Sequence, residues 1–347
     1  MAATFSGRRT GGISGVKQVM VFFVIRRALG MIVTMFFVSV MVFVVMELPP
    51  GDFAERYAFR KAGGMKITPE DIENIRHNLG LDRPAPVRYV EWITGIVTRG
   101  DFGQSYSYAT SVNRVIGERL WLTLGLLFVT LTLTYIISIP LGIYAAVRRR
   151  SMADYSLTAI SYLGLALPNF LLALILLYAS IRLFDTQIGG FYSDQYRDAP
   201  MSLAKFGDLA LHLLVPAVVL AWSATAFQLQ TVRATMLDEM NKLSVTAARA
   251  RGIPEGKLIL KYPARLAINP VISTIGFDGN RIFSELPIVA LVLALPELGE
   301  LLLKSFLDLD MYVAGAILLM LTFFIVMMNF VSDVALSLLD PRIRLRA

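Results

Sequence analysis

Leu120–Val147 reads LWLTLGLLFVTLTLTYIISIPLGIYAAV, and Arg148, Arg149 and Arg150 follow it directly. These 28 residues carry no charge, and a helix needs about 20 apolar residues to cross the hydrocarbon core of a bilayer. The run reads as a membrane span. The arginines behind it mark a cytoplasmic end, because basic residues collect in the short loops on that side. Ala28–Met46, Tyr155–Ile181, Leu209–Val232 and Met311–Ser332 are likewise free of charge. Together they account for a composition that is 56% hydrophobic and 17% charged, against about 25% charged in a soluble domain. A soluble enzyme, a disordered chain and a collagen-like rod are excluded, and zero cysteine excludes a disulfide scaffold.

The remaining charges give the orientation. Arg8, Arg9, Lys17, Arg26 and Arg27 precede the first span without an acid, and Glu47-Leu48-Pro49-Pro50-Gly51-Asp52 after it offers no small-residue cleavage site. The first segment is therefore expected to stay as a signal anchor with its basic end inside. Basic residues also dominate between the spans at Leu209–Val232 and Leu266–Leu295, and again in the tail at Arg342, Arg344 and Arg346. Acids dominate Asp185–Asp208 and Leu295–Asp310. Leu266–Leu295 counts as the fifth span despite Asp278, Arg281 and Glu285, since dropping it would put the basic tail outside. The expected fold is an all-α integral membrane protein with six transmembrane helices, both termini being cytoplasmic. It divides into a cytoplasmic segment 1–27, a first helix 28–46, a folded outer loop 47–118, a five-helix core 119–338 and a cytoplasmic tail 339–347. The core spans are 120–147, 155–181, 209–232, 266–295 and 311–332. Pro140, Pro168, Pro216 and Pro270 lie in or beside spans and read as packing kinks.

The outer loop has helix signals of its own. Thr68 suits an N-cap, Pro69 the first helical position, and Glu70 and Asp71 the positive end of a helix running to Leu79 and stopped by Gly80. A second helix after Pro84 and Pro86 is expected to use Val87, Val90, Trp92, Ile93 and Val97 as its apolar face, with Trp92 at the lipid interface.

Motifs for covalent chemistry are missing. There is no G-x-x-x-x-G-K-[ST], H-E-x-x-H or G-x-S-x-G. With no cysteine, and His77 and His212 far apart in sequence, the pattern of a zinc, haem or iron–sulfur site is absent. A net charge of +7 fits basic cytoplasmic loops better than nucleic acid. Asp278, Arg281 and Glu285 are spaced to share one helix face beside Asn280 and Ser284. Two readings stand: a self-neutralising structural pair packed on a partner, or a pathway lining that meets a polar or cationic substrate.

The loop 236–265 is the most informative stretch. Asp238–Arg251 is expected as one helix ended by Gly252, with Pro254 opening another piece to about Arg265. Composition leaves an ordinary basic loop and a partner-docking element equally open. Val245-Thr246-Ala247-Ala248-Arg249-Ala250-Arg251-Gly252 resembles the "EAA" cytoplasmic loop of ABC importer permeases of the oligopeptide, dipeptide and nickel type. Further matches follow in order: Leu79–Pro84, Arg99–Tyr106, Ile139–Gly142, Leu167–Phe170, His212–Ala217, Asn269–Val271, Leu295–Gly299 and Leu339–Arg344. The loop departs from the family where its usual acid falls on Leu243 and its usual Tyr on Ser244.

The resemblance implies a type I ABC importer-like permease fold with Val245–Gly252 as the ATPase-coupling element. It implies a transmembrane, non-enzymatic subunit of the bacterial inner membrane that forms half of a translocation pathway for peptides or other small polar solutes. Leu48–Asp52 looks more like carriers of oligosaccharides or opines. The implied partners are a second homologous permease, two ATPase subunits and an extracytoplasmic substrate-binding protein. No cofactor is expected in this chain, ATP and Mg being bound by the ATPases. The rival classes are a secondary transporter or channel, for which no inverted repeat is visible, and an intramembrane enzyme, for which no nucleophile–base pair is visible.

Overall fold

The computed structural model describes residues 13–48, 54–55, 58–59, 67–78, 80–184, 189–196 and 199–339. Its helices, in chain order, begin with α1 (Ile13–Glu47), α2 (Pro69–Asn78) and α3 (Ala85–Arg99). The strands β1 (Gln104–Ser105) and β2 (Thr110–Ser111) pair antiparallel before α4 (Val112–Val147). Then come α5 (Met152–Ala166), α6 (Asn169–Phe184), α7 (Leu203–Met240), α8 (Leu243–Ala250), α9 (Glu255–Lys261) and α10 (Pro263–Ser273). The last are α11 (Ile275–Val292), α12 (Leu298–Leu307) and α13 (Met311–Leu339). Pro49–Asp52, Leu79, the tail 340–347 and the first twelve residues lie outside the described residues.

Four helices are long and apolar enough to cross a membrane: α1 from Met20, α4, α7 and α13. At a rise of 1.5 Å per residue α4 and α7 are about 54 and 57 Å long, well beyond a core of about 30 Å, so both project into water. Their polar ends, Asn113–Arg119 on α4 and Arg233–Met240 on α7, carry those projections. Helix α7 is the central column, packed against α4, α5, α6, α10 and α11. It buries Ala217, Leu220, Ala224, Leu229 and Val232. Helix α4 lies close along it because Gly142 has no side chain: a Cβ there would sit 2.9 Å from the Leu229 carbonyl oxygen and 2.8 Å from Val232 Cβ.

Several expectations need correction. The span expected at 28–46 lies within the longer helix α1, whose apolar part runs Met20–Glu47. The third span is not one rod, since α5 and α6 meet at a bend of 102°. Pro168 explains the bend: it lacks an N–H and pushes the preceding residue out of the helical region, and Leu167 stands at φ −89°, ψ 121°. Pro140, Pro216 and Pro270 sit inside continuous helices instead. The fifth span is divided at Thr274 (φ −100°, ψ 0°) into α10 and α11. Neither half is among the long apolar helices, because α10 has only 11 residues and α11 holds all three charges in 18. The described residues thus show four long apolar helices, or five spans with the bent pair counted as one.

The described residues between α1 and α4 are held by specific contacts. Thr68 and Asp71 cap α2 reciprocally: Asp71 N–H donates to Thr68 Oγ1 at 3.2 Å and Thr68 N–H to Asp71 Oδ2 at 3.0 Å. Trp92 is 7% exposed, not interfacial. The inward face of α3 is Tyr89, Trp92 and Ile96, packed on Phe43 of α1, while Val87, Val90 and Val97 point outward. Arg88 adds a two-pronged bond to Glu47 at 2.9 and 2.7 Å, so α3 is held along the end of α1. The β1–β2 hairpin is tied to the start of α13 by buried Asp310, which accepts from Ser105 Oγ at 2.6 Å and Ser107 N–H at 3.0 Å.

Candidate functional site

The sequence singles out two groups of residues, and the structure gives each a setting. The first is the loop below α7. Helix α7 stops at Met240, and Lys242 (φ −73°, ψ 147°) turns the chain into the separate helix α8. The expected single helix from Asp238 is therefore broken at Asn241–Lys242. Helix α8 ends in a Schellman turn: Gly252 N–H bonds to Arg249 O at 3.0 Å and Ile253 N–H to Ala248 O at 3.4 Å. Gly252 has φ +75°, a region open to glycine and strained for other residues.

The small residues decide how α8 is seated. Val245 and Ala248, three apart and so on one face, are buried against Leu258 of α9, with Ile253 and Tyr262 beside them. Arg249 grips Glu255 with both arms, Nε to Oε2 at 3.0 Å and Nη2 to Oε1 at 2.6 Å. The guanidinium holds the Glu255 carboxyl below its usual range. Thr246, Ala247, Ala250, Arg251 and Gly252 stay exposed, as does Leu243 at 87%. Above the loop, buried Asp154 at the start of α5 accepts from Arg233 of α7 through two bonds, 2.6 and 3.0 Å, and from Arg150 N–H at 2.9 Å. The sequence reading passed over this pair because Asp154 stands at the edge of a charge-free run.

The second group lies on α11, where the five residues expected together fall into three settings. Asp278 is fully buried and accepts from Tyr135 Oη of α4 at 2.7 Å and Gln228 Nε2 of α7 at 2.5 Å. Gln228 Nε2 also donates to Thr274 Oγ1 at 2.7 Å. Arg281 and Glu285, both partly exposed, pair one turn apart at 3.5 Å. Glu285 also bonds Asn169, the buried first residue of α6, whose amide reaches Leu220 O and Ser223 Oγ, each at 3.2 Å. Asn280 and Ser284 lie on a separate exposed stripe with Phe277, Ile288 and Leu291, Ser284 Oγ donating to Asn280 O at 2.9 Å.

Helix α11 is therefore fastened by polar contacts near its start, to α4 and α7 at Asp278, and past its middle, to the α5–α6 bend at Glu285. Tyr135, Asn169, Gln228 and Thr274 were missed because a search for charges passes uncharged polar residues. Asn169 did carry a signal, since an amide directly after Pro168 needs partners for the groups a helix break exposes.

Known proteins place these groups in context. The family described as "Binding-protein-dependent transport system inner membrane component" matches residues 138–345, and its N-terminal domain matches residues 20–127. A Brucella ovis protein described as a peptide permease is 32% identical, covering 91% of this chain and 96% of its own length. The oligopeptide transport system permease protein AppB of Bacillus subtilis is 32% identical, covering 92% and 98%. A peptide ABC transporter permease protein of Sinorhizobium fredii is 28% identical, covering 93% and 99%. Both α8 and α11 fall inside the first matched segment. The chain belongs to the family of inner-membrane components of binding-protein-dependent transport systems.

Proposed function

We propose that this chain is one of two transmembrane subunits of an ATP-driven importer for peptides or related small polar solutes. The observation that carries the proposal is α8, a short helix seated through Val245 and Ala248 with Leu243, Ala247, Ala250 and Arg251 left outward. An ATPase subunit would dock on that outward face, bind ATP and Mg itself, and move α8 as a unit. Arg249–Glu255 and the Gly252 turn make the unit stiff enough to transmit displacement to α7 and α10. Peptides are the substrate class because they are what the named relatives are described as carrying. A second permease and an extracytoplasmic binding protein complete the assembly. The pathway lies along α11, at Asn280 and Ser284 with Arg281 and Glu285 at its edge and Asp278 anchoring the helix behind.

The test is purification of the tagged chain from its native membrane. A protein bearing a P-loop should come with it, and the assembly should hydrolyse ATP faster when loaded binding protein is added. Uptake by the chain without any ATPase would place it among secondary transporters or channels.

The topology within this proposal has six spans and cytoplasmic termini, with α10 and α11 together forming the fifth crossing. The chain has no cysteine, so single-cysteine variants need no background removal. Asn74→Cys on α2 and Lys242→Cys before α8, both at exposed positions, should react with a membrane-impermeant maleimide from opposite faces. Asn74→Cys should label in intact cells, and Lys242→Cys only after the inner face is opened. Labelling of both from one face would overturn the topology.

A further inference from the structure

The break between α10 and α11 falls where three other helices reach it with polar groups. An unbroken helix would offer Ile272 O to the N–H of residue 276. Ser332 Oγ of α13 donates to that oxygen, and a side chain that enters the ladder in this way bends a helix. Thr274 N–H turns back to Pro270 O at 3.1 Å and Val271 O at 3.2 Å, which tightens the last turn of α10. Beyond the break Gly276 lets α13 come close, since a Cβ there would lie 3.0 Å from Asn329 Cα. Gln228 of α7 bridges the two sides. Its amide nitrogen donates to Thr274 Oγ1 at 2.7 Å and to Asp278 Oδ2, one turn into α11, at 2.5 Å. Tyr135 Oη of α4 donates to the same Asp278 oxygen at 2.7 Å.

We propose that Thr274 is a hinge of the transport cycle and that Gln228 is its positioning residue, setting the angle of α11 on α10. The inference rests on the importer reading above, in which α8 to α10 are displaced and α11 edges the pathway. Two features fit a joint that opens. The first is a contrast in how the two sides are held. Ala264, Ala267 and Val271 of α10 pack on Ala146, Val232 and Met236, so α10 travels with the lower ends of α4 and α7. At the joint itself α11 is tied to α7 by the Gln228 amide, and a hinge needs only a few such residues at the ends of elements. The second is incomplete pairing. Gln228 Oε1 and Asp278 Oδ1 are buried without a hydrogen-bond partner. A buried acceptor left unpaired is unfavourable, so a movement that brings donors to these oxygens is favoured.

The test uses the assembled transporter and reads amide hydrogen exchange across the break together with uptake per ATP hydrolysed. In wild type, exchange over 275–278 should be faster during ATP turnover than without nucleotide, while exchange over 217–226 inside α7 should not change. Gln228→Met keeps the length of the side chain and removes both donated bonds. It should show the fast exchange without nucleotide, assemble, and hydrolyse ATP as wild type does. It should import about tenfold less per ATP, within the range for residues that carry coupling between sites. Gln228→Asn keeps an amide on a shorter stem and should recover part of that loss. Wild-type exchange that ATP leaves unchanged, in a complex that hydrolyses ATP and imports, overturns the hinge and leaves the importer reading standing. Wild-type uptake per ATP by Gln228→Met, or a joint fall in its assembly and ATPase, overturns the positioning role of Gln228. An assembly that imports without hydrolysing ATP overturns the importer reading and the hinge with it.

Discussion

Gly252→Val is expected to leave the chain in the membrane and to lower uptake more than tenfold. No atom lies within 4 Å of the position its Cβ would take, so the penalty is not a clash. It comes from the backbone, which holds φ at +75°. An L-residue in the left-handed region costs about 1–2 kcal/mol, and a β-branched one is a stronger outlier. The chain can relieve that strain by giving up the bonds from Gly252 N–H to Arg249 O and from Ile253 N–H to Ala248 O. Ile253 then leaves the small cluster formed by Val245, Ala248 and Leu258, and α8 loses its fixed angle to α9. A coupling element needs that angle, whereas membrane insertion does not. Gly252→Asn should fall between wild type and valine, because Asn visits the left-handed region more readily. Uptake at the wild-type rate by Gly252→Val would remove α8 from the coupling path.

How far the sequence could be read depended on the kind of signal. Long charge-free runs located α1, α4, α7 and α13, because burial in lipid leaves no alternative to an apolar stretch of helical length. Thr68, Pro69 and Gly80 marked α2 through local rules of capping, and Gly252 marked the turn after α8 in the same way. Breaks inside apolar runs were harder. Pro168 bends the chain by 102° while Pro140 and Pro216 do not break theirs. A helix carries an internal proline where surrounding groups satisfy the freed backbone, and local sequence does not record those surroundings. Residue spacing put Asp278, Arg281 and Glu285 on one side of a helix, and Arg281 and Glu285 do pair. It could not show that Asp278 turns to Tyr135 and Gln228, which come from helices far away in sequence. Trp92 was misplaced for a related reason. Its ring meets Phe43 of α1 across a long sequence separation that no local pattern records.

Arg281→Ala should deplete the assembled complex severalfold, and adding Glu285→Gln to it should restore assembly. The pair spans one helical turn, with both side chains about one-third exposed. A lone charge in the centre of a membrane costs about 2.5–3.5 kcal/mol, and partial contact with water trims that to about 2 kcal/mol here. Removing the guanidinium leaves the Glu285 carboxylate to bear that cost with Asn169 as its remaining partner. Replacing the carboxylate by an amide then removes the charge and keeps an oxygen for Asn169. The double variant therefore separates structure from transport. If Arg281 and Glu285 edge the pathway, the restored complex should still import poorly or with changed preference among charged and neutral peptides, while its ATPase remains intact. Asp278→Asn should assemble and keep its preference, since its partners Tyr135 and Gln228 are neutral and the proposed pathway runs along another face of α11. Wild-type uptake of every substrate by the Arg281→Ala/Glu285→Gln variant would make the pair a structural clasp between α11 and the α5–α6 bend. The pathway would then have to follow the stripe of Asn280 and Ser284 alone.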